Sequence, residues 1–297
     1  MSLKDPFRVA IAVATTGRPD VIRVMARYFV GQSTPAAVVI VSAATPADVE
    51  GLAQAYPQIE IVFGPKGSSH QRNTAMRALK DRCDAVAFFD DDLLPSRFFV
   101  ERTAAFLQAN PAVAGFSGVL VADGISRGGV SMEEAIALVE AADRALPPLD
   151  SPIETINNMY GCNMVARMPA ALEVGFDERL PLYAWQEDRD FSVRLRPHGR
   201  IVSTPALTGV HLGTRSGRSP GVRLGYSQIA NPYYLARKGT FAPHDALQLA
   251  GRNLAANLAK ALFPEPWIDR KGRLKGNMMA LRDMATGRIA PERVLDL

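Results

Sequence analysis

"AVAFFDDDLLPSRF", Ala85–Phe98, sets three consecutive aspartates behind an unbroken apolar run. A stretch such as AVAFF has no polar alternation. It therefore reads as a strand buried on both faces, the kind found in parallel sheets covered by helices. Asp90, Asp91 and Asp92 fall at the exit of that strand, where three adjacent like charges repel unless something cationic lies beside them. An acidic cluster is ordinarily a solvated turn. Behind a buried strand it instead puts carboxylates at the carboxyl edge of the sheet, where open α/β sheets collect ligands. Carboxylates at such an edge suit a hard divalent cation that bridges two phosphates.

Upstream, strand-like and helix-like stretches alternate. "FRVAIAVA" (Phe7–Ala14), "AAVVIVSA" and "IEIVFG" read as strands, and "PDVIRVMARYFVGQ", "PADVEGLAQAY" and "HQRNTAMRALKD" as helices. This βαβα order predicts an α/β fold, a mostly parallel sheet flanked by helices on both faces. Beyond the triplet, "SRFFVERTAAFLQAN" reads as a helix with Pro95 in its first turn. "VAGFSGVLVAD" and "NNMYGCNMVAR" read as strands, and Ser131 with Glu134 forms a capping box opening "SMEEAIALVEAAD". "QEDRDFSVRLRPHG" is a helix ended by Gly199, and from about Asn231 the pattern is helical. The expected division is residues 1–230 as one ligand-binding and catalytic unit, with 231–297 as a helical C-terminal extension.

Composition narrows the function classes. Hydrophobic residues make up 47% of the 297 and charged residues 22%, which excludes a disordered or fibrous chain. The net charge of +4 is too mild to predict a nucleic-acid partner, but it suits an anionic ligand or peripheral contact with a membrane surface. Cys83 and Cys162 stand far apart in apolar settings and read as reduced thiols, which points to the cytoplasm. The opening "MSLKDPFRVAIAVATTGRPD" is apolar only over a strand's length, so a leader is not expected. Nothing approaches the roughly 20 apolar residues of a membrane span. No oligomeric state is specified.

Three further stretches carry chemistry. In "YAWQEDRDFSVRLR" (Tyr183–Arg196), Glu187 and Asp188 open a helix. Carboxylates there favour the positive end of the helix dipole, which explains them without any function. The functional alternative is a general base at the mouth of a site framed by Trp185. His211, in "LTGVHLG", is either a structural histidine or an imidazole ligand completing a metal site. "GPKGSSHQRNTAM" (Gly64–Met76) is a Gly/Ser turn into a helix with Lys66 and Arg72, an ordinary capped start or an anion cradle.

Taken in order, these pieces resemble the inverting nucleotide-sugar glycosyltransferases of family two, whose fold is the Rossmann-like GT-A. "VAIAVATTGRP", "GSSHQRNTAM", "DDD", "WQEDRDFSVRL" and "VHLG" match that family's segments from Phe7 to Gly213. The tail "RKGRLKGNMMALRDMATGRIAPERVL" is similar to that of bacterial members. The resemblance implies transfer of a sugar from a nucleoside-diphosphate sugar to a hydroxyl on a carbohydrate or lipid-linked acceptor, in cell-surface or exopolysaccharide synthesis, with a divalent metal (Mn or Mg). It implies Asp92, Asp90 and His211 as metal ligands, and Asp188 as base with Glu187 orienting it or standing in. Thr15, Arg18, Arg72, Asp90 and Asp91 would line the nucleotide pocket. Gln71 stands where the family has Ala, and "IVSAA" lacks the acidic residue that many members use to read uracil, so the base is not implied.

Two rivals remain. A sugar-nucleotide nucleotidyltransferase would share the fold and the metal carboxylates, but it needs a triphosphate cradle that does not follow the first strand. "GISRG" (Gly124–Gly128) is a literal G-x-S-x-G, which would make Ser126 a hydrolase nucleophile if it sat on a sharp strand-to-helix elbow. Finally, "HLGTRSGRSPGVRLG" (His211–Gly225), with Arg215, Arg218 and Arg223, reads as a lid over a diphosphate or as a plain exposed loop.

Overall fold

The computed structural model describes residues 6–214 and 220–297. Its first half is the expected alternation: β1 (Val9–Thr15), α1 (Pro19–Val30), β2 (Val39–Ala43), α2 (Leu52–Ala55), β3 (Glu60–Phe63), α3 (Ser68–Ala78) and β4 (Ala85–Asp90). Then come β5 (Leu93–Pro95), α4 (Phe99–Ala109), β6 (Val113–Asp123), α5 (Gly124–Arg127) and α6 (Met132–Arg144). The remainder is β7 (Glu154–Thr155), β8 (Asn163–Arg167), α7 (Met168–Val174), α8 (Glu187–Leu195), β9 (Arg200–His211), α9 (Gly221–Lys238), α10 (Pro243–Lys260) and α11 (Arg270–Ala285).

One sheet runs β3-β2-β1-β4-β8-β6-β9-β5, with β7 on β9. The strands β3, β2, β1, β4, β6 and β9 share a direction, while β8, β5 and β7 run against them. The sheet is therefore mostly parallel, as the apolar runs predicted. Both faces are covered, and the two-residue period of the strands shows it. Val9, Ile11, Val13, Ala85, Ala87 and Phe89 point into one core, packed with Ile22, Met25 and Phe29 of α1 and Phe99 and Phe106 of α4. Ala10, Ala12, Val86 and Phe88 point into the other, with Met76 of α3, Phe176 and Phe191 of α8.

One expectation fails here. Pro95 does not open a helix. It ends β5, whose backbone pairs with β9 through Leu93↔His211, Leu94↔Val210 and Pro95↔Gly209, and α4 begins only at Phe99. Pairing with a strand more than a hundred residues away outweighed the local preference of proline for a helix's first turn.

The C-terminal helices pack on one another and on the loop before α8. Tyr226 is fully buried and donates to Asp283 Oδ2 at 2.9 Å. α9 spans the position of the expected boundary after residue 230, and it ties back into the sheet domain. Asn231 donates to the Trp185 carbonyl at 2.8 Å, and buried Asp190 of α8 accepts from Lys238 and from Thr240 at 2.8 Å. No helix among the described residues is long and apolar enough to cross a membrane.

Candidate active site

β1, β4, β6 and β9 all end at the same edge, so Thr15, Asp90, Asp123 and His211 arrive there together. Register makes the pairs. Asp90 lies across from Ala14, Asp123 lies across from His211, and the turn through Asp91 and Asp92 leads into β5, where Leu93 pairs with His211. The close approach at this edge requires glycine. A Cβ on Gly124 would sit 2.0 Å from the Leu212 carbonyl oxygen, and one on Gly213, whose φ is +64°, would sit 2.4 Å from the Gly124 carbonyl carbon. Those contacts lock the ends of β6 and β9 together and hence fix Asp123 beside His211.

The three aspartates have three different settings. Asp91 is fully buried, accepting from Thr15 Oγ1 at 2.6 Å and paired with the Arg18 guanidinium. Burial pushes its carboxyl up to about 7 against the pull of Arg18, with Asp92 adding to the push. Asp92 is nearly buried. It lies 3.2 Å from His211 Nε2 and accepts the Thr214 backbone N–H at 2.7 Å. Burial alone would raise its carboxyl, but the His211 hydrogen bond and charge, with Arg18 behind them, bring it down to about 2. Asp90 is the most open of the three and faces the cleft.

His211 is held from its other side as well. Its Nδ1 is 3.0 Å from Asp123 Oδ1, and Tyr160 donates its hydroxyl to Asp123 Oδ2 at 2.8 Å. Burial disfavours the imidazolium, yet the bonds to Asp123 and Asp92 outweigh that and raise it to about 10. Asp90, Asp92 and His211 offer ligand atoms within 4.8 Å of one another. Two carboxylates and one imidazole, the imidazole oriented by a carboxylate on its far nitrogen, fit a divalent cation. Because both ring nitrogens are engaged by aspartates, His211 has none to offer a serine. Ser126 lies on the one-turn α5 directly after β6, so the hydrolase reading keeps a strand-to-helix junction but lacks a free histidine base.

The second acidic pair opens α8. Leu182, Ala184 and Gln186 just before it all take left-handed φ values of 58°, 52° and 76°. A non-glycine residue pays roughly 1–2 kcal/mol for that conformation, so this loop is over-determined by its surroundings. Its anchors are the Ser68 N–H bonded to the Leu182 carbonyl at 2.8 Å, the Asn231 bond to Trp185, and the Glu187 N–H closing back on the Ala184 carbonyl at 2.9 Å.

Arg72 of α3 joins the two acidic groups. Its Nη1 lies 2.5 Å from Glu187 Oε1, and its Nη2 donates to Asp90 Oδ1 at 3.2 Å and to the Gly161 carbonyl at 3.0 Å. Arg72 is itself buried, and its two terminal nitrogens are committed inside the protein. Burial pushes the Glu187 carboxyl up to about 7, with Arg72 opposing. The Asp188 carboxyl is raised by burial too, and it is steadied by backbone N–H groups, its neighbour's at 2.8 Å and that of Gly161 at 3.1 Å. Glu187 is thus tied to a cation, and Asp188 only to amides.

The cleft between these groups holds about 370 Å3 and is lined by Thr15, Arg18, Lys66, Arg72, Asp90, Tyr160, Tyr183, Trp185, Glu187, Asp188 and His211. The structure therefore gathers Asp90, His211, Glu187, Asp188, Thr15, Arg18 and Arg72 in one place, with Asp91 and Asp92 beneath them. Arg215 and Arg218 lie outside the described residues. Arg223 lines the cleft from the first turn of α9 and donates to the Leu297 carbonyl at 2.7 Å. Sequence reading missed Asp123 and Tyr160, and it noted Gln71 only as an oddity. Gln71 clamps two strand ends, donating to the Thr15 carbonyl at 2.7 Å and the Ser42 carbonyl at 2.8 Å.

Comparison with known proteins agrees with this geometry. Residues 36–164 match the family described as glycosyl transferase family 2, a span that includes the aspartate triplet and stops short of Glu187, Asp188 and His211. No curated protein sequence matches the chain. Among solved structures, the mannosyltransferase PcManGT from Pyrobaculum calidifontis, in complex with GDP-Man and Mn2+, aligns over 97% of this chain and 85% of its own, at TM-score 0.53 and 18% identity. GalNAc-T7, with UDP, GalNAc and Mn2+, aligns over 99% of this chain at TM-score 0.56 and 8% identity, and this chain spans 56% of its length. S. aureus TarS 1-349 aligns over 95% of this chain and 92% of its own, at TM-score 0.50 and 12% identity. At such identities the likeness is one of fold. Residues 36–164 thus match glycosyl transferase family 2, and the fold of the chain is the GT-A fold of these structures.

Proposed function

We propose that the protein is an inverting, metal-dependent glycosyltransferase, moving a sugar from a nucleoside-diphosphate sugar to a hydroxyl on a carbohydrate or lipid-linked acceptor. The observation that carries this reading is the pairing of two unlike acidic groups in one cleft: Asp90, Asp92 and His211 at the strand ends, and Glu187 and Asp188 on α8, with Arg72 between them. A serine hydrolase or a simple binding protein has no use for both.

Asp90, Asp92 and His211 would hold a divalent ion, which when bound stabilises the charge on the departing diphosphate. Asp188 accepts the proton of the acceptor hydroxyl, since its carboxyl is engaged only by backbone amides and burial makes it a stronger base than a free carboxylate. Arg72 holds Glu187 beside it and fixes the pair relative to Asp90. Attack from the base's side, opposite the leaving group, inverts the anomeric centre. Residues 1–230 supply this chemistry, and 231–297 form an extension that braces the α8 loop through Asn231, Lys238 and Thr240.

The test is a panel of sugar nucleotides with manganese, read as slow donor hydrolysis. One donor turned over, and no turnover after chelation, supports the reading. No turnover of any sugar nucleotide, with or without acceptor extracts, contradicts it.

A further inference from the structure

We propose that the solvent face of α10, with the turn that follows it, docks the protein on an anionic lipid surface. α10 is apolar on two sides, since Ala246, Leu249 and Ala250 face the C-terminal clusters. Amides complete that inward side: Asn257 is fully buried and donates to Gln228 and Asn277, and Asn253 accepts from Gln228. Its outward face carries Leu247, Gly251, Ala255 and Leu258, a row at helical spacing that Leu262 continues in the turn after the helix. Leu247, Leu258 and Leu262 are 75%, 63% and 80% exposed, and Phe263, at the tip of the turn, is 87% exposed. Scattered exposed leucines need no explanation, but an aligned row ending in a projecting phenylalanine marks an interaction surface.

Charge selects the occupant. Residues 231–297 hold 11 Lys and Arg against 6 Asp and Glu, a net +5, whereas residues 1–230 hold 23 against 24, a net −1. The whole positive excess of the chain therefore sits in the region that bears the apolar row. A second copy packed on this face would bring two regions of like net charge together. A bilayer with acidic headgroups is attracted instead. Exposed Arg252 flanks the leucines on the helix, Lys260 does so while paired with Glu265, and Lys271 and Lys275 are exposed on α11. An apolar helix face with basic flanks and a projecting aromatic tip is the build of a segment that lies in the headgroup boundary, not across the membrane. This surface requires no residue of the cleft, so it stands or falls apart from the transferase chemistry.

The experiment is co-sedimentation of the full chain with vesicles of phosphatidylcholine alone or mixed with phosphatidylglycerol. The wild type is expected to pellet with the mixed vesicles, to bind neutral ones at least about tenfold more weakly, and to be released by salt. The double variant Leu262→Asp/Phe263→Asp, checked for folding by circular dichroism and for intact donor hydrolysis, should lose about tenfold or more in partitioning. Three results would overturn the proposal. They are wild-type protein left in the supernatant with acidic vesicles, equal binding by wild type and the double variant, or a dimer by light scattering that Leu258→Asp dissociates.

Discussion

The two acidic groups that meet at Arg72 are held by opposite means. Asp90, Asp91 and Asp92 sit on a tight turn between strands whose registers leave them no freedom, and each finds an oppositely charged neighbour within the sheet domain. Glu187 and Asp188 open α8 behind a loop with three left-handed residues, which is held from α3 on one side and α9 on the other. Strand register makes a rigid ligand site from the sheet alone. The proposed base, Asp188, instead follows a strained loop that is anchored in part by the C-terminal helices.

The comparison breaks most readily at Asp188. Asp188→Asn is expected to cut transfer by about a hundredfold to ten-thousandfold while nucleotide affinity stays near wild type, because the base acts on the acceptor. Steady-state rates and a nucleotide titration on the same variant check both halves. Greater damage from Glu187→Gln would reverse the assignment within the pair.

On the strand side, Asp123→Asn should weaken Mn2+ binding about 10–100-fold by releasing the His211 ring, read by electron paramagnetic resonance of free Mn2+. An unchanged affinity would make Asp123 a bystander. The pH dependence comes next in size. With the Glu187 carboxyl near 7 and that of Asp188 raised beside it, the pair takes up a proton as pH falls through that region, and the base is lost. The value of kcat/KM should then drop about tenfold per unit on the acid side of about 7. A flat profile down to pH 5 would mean the pair does not serve as base.

The smallest expected effect tests the loop itself. Gln186→Gly removes a side chain from a left-handed position at φ 76° and should stabilise the fold by up to about 1 kcal/mol, seen as a higher Tm. A lower Tm would show that the loop stores no strain there.

Legibility followed the same divide. Thr15 and Asp90 could be placed from sequence because an apolar run too hydrophobic for the surface must end at the ligand-binding edge. Asp123 ends an apolar strand in the same way, and that signal was available, but no spacing rule tied it to His211. The tie is a strand register spanning 88 residues. Pro95 misled because a local propensity was read where a long-range pairing decides. The left-handed run at Leu182, Ala184 and Gln186 carried no glycine to announce it, so the strain beneath the base was invisible. α9 crosses the expected domain boundary because its early turns reach the cleft while its later ones brace α8.

The central claim is that the strand-end cluster binds a divalent ion together with a nucleoside diphosphate. Calorimetric titration of a nucleoside diphosphate into the protein, with manganese and then with chelator, measures it directly. The account predicts markedly tighter binding with manganese, and loss of that gain in Asp92→Asn. Equal affinity in both conditions would contradict it.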